Sequence, residues 1–403
     1  MNRHVLFFVW RYLAYNKVKS LVLWFSLTMI FALPMCLGHL TRLFEHSVRA
    51  RAIDTPLVLG VKGSEYDLTL HALYFQADIQ DTFPVQEWHA LMAKNRGASV
   101  PVALGFTAFS RPIVGTTLEY FEARSMQIQE GSTFVQLGQC VLGSEVAESL
   151  GLDPGMSLMS DASNVFNLAG DYPLKMKVSG IFKPTGTPDD HAIFVDLKTH
   201  WIMEGLGHGH ESLSSSDDQA DKILQTKDGV VTASASVLPY LEINQENQQT
   251  FHFHSAMHEL PVTALLIWPS SVKSETLLMG EFNHSSNRLQ IIRPLEVVES
   301  MMAWVIRIKQ FMDLNYLLIG FTVFGMAAMI FFLSVRLRSD EFETFHYLGC
   351  RRTFVSRLVI FEWGALMFVA ACFAVVITRF ADRWMRWMLS TVLIGGGLRM
   401  SNE

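Results

Sequence analysis

Three apolar runs of membrane-spanning length constrain the fold of this chain more than any other feature. They cover residues 20–40, 314–335 and 355–378. About 20 apolar residues are enough for a helix to cross a hydrocarbon core of about 30 Å. Half of the 403 residues are apolar and the mean hydropathy is +0.24, which exceeds the values of typical soluble domains. The sequence therefore predicts an integral membrane α-helical protein with three clear spans.

The first run also has some features of a cleaved signal peptide. Arg3, Arg11, Lys17 and Lys19 precede it, as a basic flank would. The run is longer than the apolar region of a signal peptide, and no A-x-A cleavage site follows it. The interpretation as a membrane span is therefore preferred.

Basic residues in the short flanks predict the orientation of the spans. Four precede the first span, and a second group surrounds the loop after the second span: Arg336, Arg338, Arg351, Arg352 and Arg357. Such flanks are retained in the cytoplasm. Residues 41–310 are therefore expected outside the cytoplasm. The predicted location is the bacterial inner membrane, with several spans and a large periplasmic domain.

The C-terminal segment, residues 384–403, fits this scheme less well. Arg379, Arg383 and Arg386 follow the third span on what should be its outer side. The apolar run 387–398 has only about 12 residues, fewer than a normal crossing needs. Two interpretations remain open, a short or incomplete fourth span and an interfacial tail, and the first is slightly favoured.

The middle region, 41–310, alternates short strand patterns with helical ones and predicts an α+β domain in two lobes. Residues 141–152 read as a strand that enters a helix and stops at a glycine, and 175–181 alternate as a half-buried strand does. Residues 192–195 and 263–268 are further short apolar runs, whereas 205–228 read as a flexible, histidine-containing insertion. Cys140 is the single cysteine of the region, so no internal disulfide is expected.

Several functional classes find little support in the sequence. The net charge is −6 without basic blocks, so no nucleic-acid partner is predicted. No G-x-x-x-x-G-K-[ST] loop occurs, so nucleotide chemistry is expected in another subunit. Asp189–His191 places carboxylates beside a histidine, as in an acid–base pair, but it lies in a predicted structural turn. Gly143–Glu145 does not match the G-x-S-x-G motif of an activated serine. The chain is predicted not to be an enzyme, with no catalytic residues.

Four stretches together resemble the FtsX/MacB-like permease family of ABC transporter systems, which includes macrolide-export and lipoprotein-releasing permeases. The first, residues 10–29, is similar to the amphipathic helix that runs into the first span of the family. The second, residues 114–134 with 140–158, and the third, 177–199, resemble the core of the outer domain. The fourth, 334–364, resembles a cytoplasmic loop with the pattern L-G-[AC]-x-R. The chain departs from the family in two respects. The family usually has four full spans, and its cytoplasmic loop usually carries more basic and acidic residues, in an R-x-R-E-I-A-like run, than the run RLRSDEFET at 336–344.

The resemblance implies a function and a set of partners. It implies a MacB-like domain between spans 1 and 2 and a separate cytoplasmic ABC ATPase that binds ATP and magnesium. It also implies a homodimer or pseudo-dimer of permeases, and a periplasmic partner protein. The chain would pass ATP-driven movement to an outer domain that acts on a cargo. The alternative is a non-transporting regulator that activates an outer partner by the same lever.

The cytoplasmic loop, residues 336–353, is the predicted docking site for the ATPase. Phe342, Phe345 and Leu348 recur at helical spacing and form an apolar stripe, with Arg338 and Glu341 on its polar rim. The resemblance identifies this element as a coupling helix. The alternative interpretation is that the phenylalanines only rest on the membrane interface.

A second group of residues is predicted to transmit movement. Trp10, Arg11, Lys17 and Lys19 belong to the amphipathic N-terminal helix, residues 1–19. Glu362 lies inside the third span, where a carboxylate is costly. It is expected either to contact a neighbouring helix or subunit or to reach toward the cytoplasmic interface.

Histidines concentrate in the second half of the middle region and suggest a metal site. The candidate ligands are His208, His210, Glu211, His252, His254 and His258. Imidazoles beside carboxylates suit zinc and other transition metals. In an extended strand, however, H-x-H also places both rings on one face for ordinary reasons. The sequence thus allows a link to zinc without requiring one.

Overall fold

The structure is a computed structural model. It describes residues 2–76, 81–161, 173–209, 223–227, 230–233, 242–244, 247–253, 255–283, 287–337 and 352–395, with residues 339, 343, 344, 347 and 349 between the last two ranges.

The chain alternates long helices at its two ends with short helices and strands in the middle. The helices are α1 (Asn2–Tyr15), α2 (Lys17–Ile53), α3 (Glu65–Tyr74), α4 (Gln86–Ala93), α5 (Leu118–Ala123), α6 (Ser144–Leu150), α7 (Leu197–Met203), α8 (Val272–Phe282), α9 (Pro294–Leu337) and α10 (Arg352–Gly395). The strands are β1 (Leu57–Val61), β2 (Phe83–Pro84), β3 (Gly97–Ala108), β4 (Arg111–Thr116), β5 (Ile128–Gly131), β6 (Gln139–Leu142), β7 (Ser157–Met159), β8 (Lys175–Phe182), β9 (Ile193–Asp196), β10 (Gly207–His208), β11 (Ile223–Lys227), β12 (Val230–Ala233), β13 (His252–Phe253), β14 (Pro261–Val262), β15 (Ala264–Pro269) and β16 (Leu289–Ile292).

The first compact unit combines Met1–His46 with Ser300–Leu389 and contains only helices and single turn residues where it is described. Three of its helices are long and apolar enough to cross a membrane: α2, α9, and Ile360–Asp382 within α10. Among the described residues, α2 and α9 contain the predicted runs 20–40 and 314–335, and Ile360–Asp382 overlaps most of the predicted run 355–378.

The helices extend well beyond the predicted spans. Helix α2 continues from the first apolar run to Ile53, although the outer domain was predicted to begin at residue 41. Its end lies just before Pro56, and a proline disfavours helical geometry in the residue that precedes it. Helix α9 begins at Pro294, far ahead of the predicted start at 314. Proline suits the first position of a helix because no backbone donor is needed there.

The predicted fourth span has no helix of its own among the described residues. Helix α10 runs without interruption from Arg352 to Gly395 and therefore includes most of the segment 384–403. Between Gly364 and Gly395 the sequence contains neither glycine nor proline, so nothing local breaks the helix after the third span. Residues 396–403 lie outside the described part.

The second unit is built on Ser47–Glu299 and holds the strands. Within the described residues, its main sheet has ten strands in the order β16-β1-β15-β3-β4-β9-β6-β8-β5, with β7 paired to β8. Pairs β4–β9 and β6–β8 are parallel and the others are antiparallel. This mixed sheet, with short helices between its strands, agrees with the predicted α+β class.

Two hydrophobic cores lie on different parts of this sheet. One contains buried side chains of β1, β15 and β16, such as Leu59 and Leu265, together with Trp201 of α7. The other gathers around β6, β8 and β9 and includes Leu142, Met176 and Ile193. The two cores agree with the predicted division into two lobes, which share one continuous sheet.

Several local predictions for this unit are confirmed. Strand β6 leads into α6, which ends at Gly151 in a left-handed conformation with φ of 62°. Strands β8, β9 and β15 form where alternating or apolar runs were found. The predicted insertion 205–228 is only partly described, and it contributes β10 and β11.

Candidate functional site

The predicted ATPase-docking residues cannot be placed. Arg338, Glu341, Phe342, Phe345 and Leu348 all lie outside the described residues. Their role stays a prediction from the sequence.

The predicted transmission residues of the N-terminal helices are mostly exposed. The side chain of Trp10 is 70% exposed, and Arg11 and Lys17 are exposed as well. Lys19 is half-buried and lies over the ring of Tyr12, with its Nζ 5.6 Å from the ring centroid. Apart from Lys19, these side chains are open to lipid, water or another protein.

Glu362 is buried, with 4% of its surface exposed, so the structure does not show a side chain that extends freely toward water. The same unit contains two further polar contacts between α2 and α10. His39 Nε2 lies 2.6 Å from Asp382 Oδ1, and Cys36 Sγ lies 3.6 Å from Thr378 Oγ1. Both contacts lie near one end of the apolar runs, where polar groups can still reach water.

A buried ionic cluster in the second unit was missed from the sequence. Arg51, near the C-terminal end of α2, donates from Nη1 and Nη2 to the two carboxylate oxygens of Asp189, at 2.6 and 2.7 Å. Its Nη2 also donates to the Tyr120 hydroxyl at 2.8 Å, and that hydroxyl donates to Asp189 at 2.7 Å. Side-chain exposure is only 3% for Arg51 and 2% for Asp189.

Arg51 and Asp189 stay charged inside the protein because their opposite charges stabilise each other. Burial opposes ionisation of Asp189, but the Arg51 and Arg124 guanidinium groups hold the pKa of that carboxyl below its usual value. Burial raises the pKa of the Tyr120 hydroxyl, so Tyr120 remains a neutral donor. We call Arg51, Asp189 and Tyr120 the Arg51 cluster.

Further contacts join the C-terminal end of α2 and the residues after it to α3, to strand β15 and to the end of α5. Arg51 Nε donates to the carbonyl of Leu73 in α3. Trp268 of β15 donates its indole N–H to the carbonyl of Asp54 at 2.8 Å. Arg124 donates to the Asp54 carboxylate and to the Thr55 hydroxyl. The residues just after α2 are therefore held from several directions.

Only one pair of the predicted metal ligands is brought together among the described residues. His208 and His252 face each other across the two-stranded sheet of β10 and β13, with ring centroids 5.0 Å apart. His258 lies in another turn, 4.0 Å from Glu259, and His210, Glu211 and His254 lie outside the described residues. No group of three or more histidine, cysteine, aspartate or glutamate side chains in the described ranges is arranged to hold a metal.

Comparison with known proteins identifies the second unit. Residues 47–236 match the family model of the MacB-like periplasmic core domain. The chain carries a MacB-like periplasmic core domain. This finding confirms the resemblance to the FtsX/MacB-like permeases of ABC transporter systems that the sequence stretches predicted. Arg51, Tyr120, Asp189 and His208 lie inside the matched residues, whereas His252 lies beyond them.

Two solved structures are similar to the MacB-like core domain at low identity. The periplasmic region of MacB from Actinobacillus actinomycetemcomitans is 9% identical, with 61% of this chain and 92% of that chain covered and a TM-score of 0.34. The extracellular domain of the noncanonic ABC-type transporter YknZ from Gram-positive bacteria is 11% identical, with 59% and 98% covered and a TM-score of 0.32. Both TM-scores are below 0.5, so the assignment rests on the family model. No curated protein matches the chain.

Proposed function

We propose that the chain is the permease subunit of an ABC-type transporter complex in a bacterial inner membrane. A separate cytoplasmic ATPase would bind ATP and magnesium, and this chain would carry the resulting movement to its MacB-like core domain. The core domain would then act on a cargo, together with a second permease copy or homologue and a periplasmic partner. The assignment to a transporter subunit in general rests on the family of the core domain.

The observation that best supports the mechanical part is the continuity of helix α2. One helix, Lys17–Ile53, contains the first apolar run and also Arg51. Pro34 lies inside this helix and removes one backbone hydrogen bond, so movement would pass to Arg51 through the hydrogen-bonded part of the helix that follows Pro34. The bidentate contact of Arg51 with Asp189 fixes both distance and orientation, which a single hydrophobic contact would not.

The ATPase would act at the loop 336–353. Phe342, Phe345 and Leu348 share one helical side by spacing, and an apolar stripe of this kind fits a groove on a partner. The lack of a phosphate-binding loop in the sequence makes this loop the best candidate for the point where energy enters.

Co-purification of the full chain with a co-expressed ABC ATPase from the same organism tests the proposal. The intact complex is expected to survive detergent extraction, and Phe342→Asp with Phe345→Asp is expected to lower ATPase recovery at least tenfold, because a buried carboxylate is costly in an apolar groove. Tyr347→Asp is the matched control. Its side chain is 86% exposed and lies about 200° around the helix from Phe345. Equal recovery with all variants would refute the docking site.

A second measurement separates transport from regulation. ATP-dependent release or movement of a cargo by the reconstituted complex is expected if the chain is a transporter subunit. A complex that hydrolyses ATP and activates an outer partner without moving any cargo would support the regulator instead. The predicted link to zinc or another transition metal rests on the six candidate ligands. Among the described residues, only His208 and His252 of this set lie next to each other.

A further inference from the structure

We propose that an exposed face at the start of the chain binds the anionic phospholipid headgroups of the cytoplasmic leaflet. This face, the Trp10 face, consists of Phe7, Trp10 and Arg11 of α1 with Lys17 at the start of α2. Three of these four are residues that the sequence predicted to transmit movement. The proposal rests on the membrane placement of α2 put forward above, but neither the ATPase nor the core domain enters it.

Helix α1 packs against α10 with one side and leaves another side open. Val9 of α1 is buried against Leu358 of α10, in a small apolar cluster. Phe7 and Trp10 are 61% and 70% exposed, and Arg11 is exposed as well. Residues three and four positions apart lie on the same side of a helix, so these three side chains form one surface. At 3.6 residues per turn, that surface is centred about 150° around the helix from Val9.

The backbone bends between α1 and α2. Helix α1 ends at Tyr15, Asn16 is a turn residue, and α2 begins at Lys17. The Ser20 hydroxyl donates to the carbonyl oxygen of Leu13 at 3.3 Å. In a straight α-helix, residues seven positions apart are separated by about 10 Å along the axis, which is farther than a serine side chain reaches. The axis of α1 therefore departs from that of α2 at Asn16.

The position of this bend suits the headgroup layer of a membrane. The apolar run of α2 begins at residue 20, four positions after Asn16, which corresponds to about 6 Å of helix. The headgroup layer on each side of a hydrocarbon core is about 5–7 Å thick. With the run 20–40 across the bilayer, Asn16 lies within that layer. The 14 residues of α1 extend only about 21 Å, too short to cross the core, so α1 lies along the surface. Tryptophan is enriched at this depth.

The charge of this region selects anionic lipids as the occupant of the Trp10 face. Arg11 and Lys17 are exposed, and so is Arg357, the neighbour of Leu358 in α10. The first acidic residue of the sequence is Glu45, so the stretch before it offers no carboxylate to pair with these cations. The cytoplasmic leaflet has a negative surface potential that attracts basic residues next to a span. Exposed aromatic rings beside basic side chains are typical of helices that lie in such an interface.

Fluorescence quenching of the full chain in lipid vesicles tests the Trp10 face. The chain is reconstituted without an ATPase into equimolar phosphatidylcholine and phosphatidylglycerol, with bromine on the upper acyl carbons of one lipid or of the other. Trp10→Phe, measured in parallel, isolates the signal of Trp10 from those of the other tryptophans. Brominated phosphatidylglycerol is expected to quench Trp10 at least about twofold more than brominated phosphatidylcholine, because basic residues enrich anionic lipid around them. High salt should reduce this preference, since it screens exposed charges.

Charge variants identify the residues responsible for the preference. Arg11→Gln/Lys17→Gln should abolish it, whereas Arg42→Gln, which removes an exposed charge beyond the other end of the apolar run, should leave it unchanged. The comparison of the two brominated lipids needs only the parent and Trp10→Phe, so it holds even where a charge variant fails to fold.

Three results would overturn the proposal: no quenching of Trp10 by either lipid, equal quenching by both, or a preference that survives in Arg11→Gln/Lys17→Gln. Each of them leaves the permease proposal intact, because no ATPase is present. A chain that does not float with the vesicles would instead contradict the membrane placement itself. Failure of the lipid-binding face is therefore distinct from failure of the proposed function.

Discussion

Two of the buried polar sites in the MacB-like core domain respond to burial in opposite ways. The Arg51 cluster keeps its charges because each is paired by bidentate hydrogen bonds. His200 of α7 is 2% exposed, and neither ring nitrogen has a hydrogen-bond partner within the described residues. Burial, together with a smaller electrostatic effect of nearby His71, lowers the pKa of His200 to about 3, so its ring stays neutral. A buried charge needs a partner, whereas a buried imidazole can stay neutral and then has only the smaller cost of an unpaired polar group.

The comparison also indicates different purposes. Replacing a buried ion pair by apolar residues of similar size is often neutral or stabilising, so stability alone does not account for the Arg51 cluster. Its directional bonds instead fix how the end of α2 attaches to Asp189 and Tyr120. His200 makes an edge-to-face ring contact with Phe106, at 5.1 Å, and its Cβ fills space that Gly115 leaves open. Its role is that of an aromatic packing residue.

Removal of Asp189 should have the largest effect on this comparison. Asp189→Ala leaves the guanidinium of Arg51 buried beside a neutral phenol, so the free energy of unfolding should fall by about 3–5 kcal/mol. Chemical unfolding of the full chain in detergent, with hydrogen exchange of peptides that cover 111–124, measures the loss. Glu299→Ala is the control, since the Arg49–Glu299 pair is about half exposed and should contribute under about 1 kcal/mol. Similar losses for the two variants would show that the Arg51 cluster is not effectively buried.

Protonation of His200 at low pH should leave an unpaired charge inside the protein, as Asp189→Ala does for Arg51. An unfolded histidine titrates near 6.5, whereas folded His200 titrates at about 3. Between these values the unfolded chain binds a proton that the folded chain does not. Stability is therefore full above about pH 6.5 and falls by up to about 1.4 kcal/mol for each pH unit below it.

His200→Phe should remove this part of the acid slope, because phenylalanine keeps the aromatic contact and has no proton to bind. Unfolding midpoints measured between pH 7 and pH 5 on the parent and the variant give the difference. His89→Gln, a change at an exposed ring, should leave the slope as it is. Parallel slopes for the parent and His200→Phe would contradict the burial of a neutral imidazole.

The smallest expected effect comes from a variant that removes one hydroxyl from the Arg51 cluster and keeps its ion pair. Tyr120→Phe removes one hydroxyl that accepts from Arg51 and donates to Asp189, while the ion pair remains. The free energy of unfolding should fall by about 1.5 kcal/mol, as for a hydrogen bond to a charged group. Differential scanning calorimetry of the full chain measures it, with Tyr66→Phe as a control at a hydroxyl on an exposed residue. A loss as large as that of Asp189→Ala would mean that the phenol, and not the carboxylate, holds Arg51.

Local patterns predicted much of the secondary structure but not its ends. The run 141–152 contained its own stop signal in Gly151, so β6 and α6 were predictable. The length of α2 was underestimated because the polar residues after the first apolar run were taken as the start of a domain. They contain no breaker before Pro56, and helical geometry simply continues. The same error hid the continuity of α10.

The sites were harder to predict than the elements that carry them. Arg51 looked like one more basic residue after a span, and Asp189 like a turn residue. They lie 138 positions apart, and no local pattern links them. The number of histidines in the middle region suggested a metal site, but their sequence spacing could not select His208 and His252 from the six candidate ligands.

The sequence by itself determined the three apolar helices, the α+β character of the middle region and the family of its core domain. These depend on composition, on periodicity and on short local patterns. The tertiary structure alone decided that Arg51 meets Asp189 and Tyr120, that buried His200 has no hydrogen-bond partner among the described residues, and that His208 faces His252. The physical reason is that burial and strand register are set by packing between distant segments. At the histidine pair, two glycines make room for two phenylalanine rings, and that fit fixes which residues face each other.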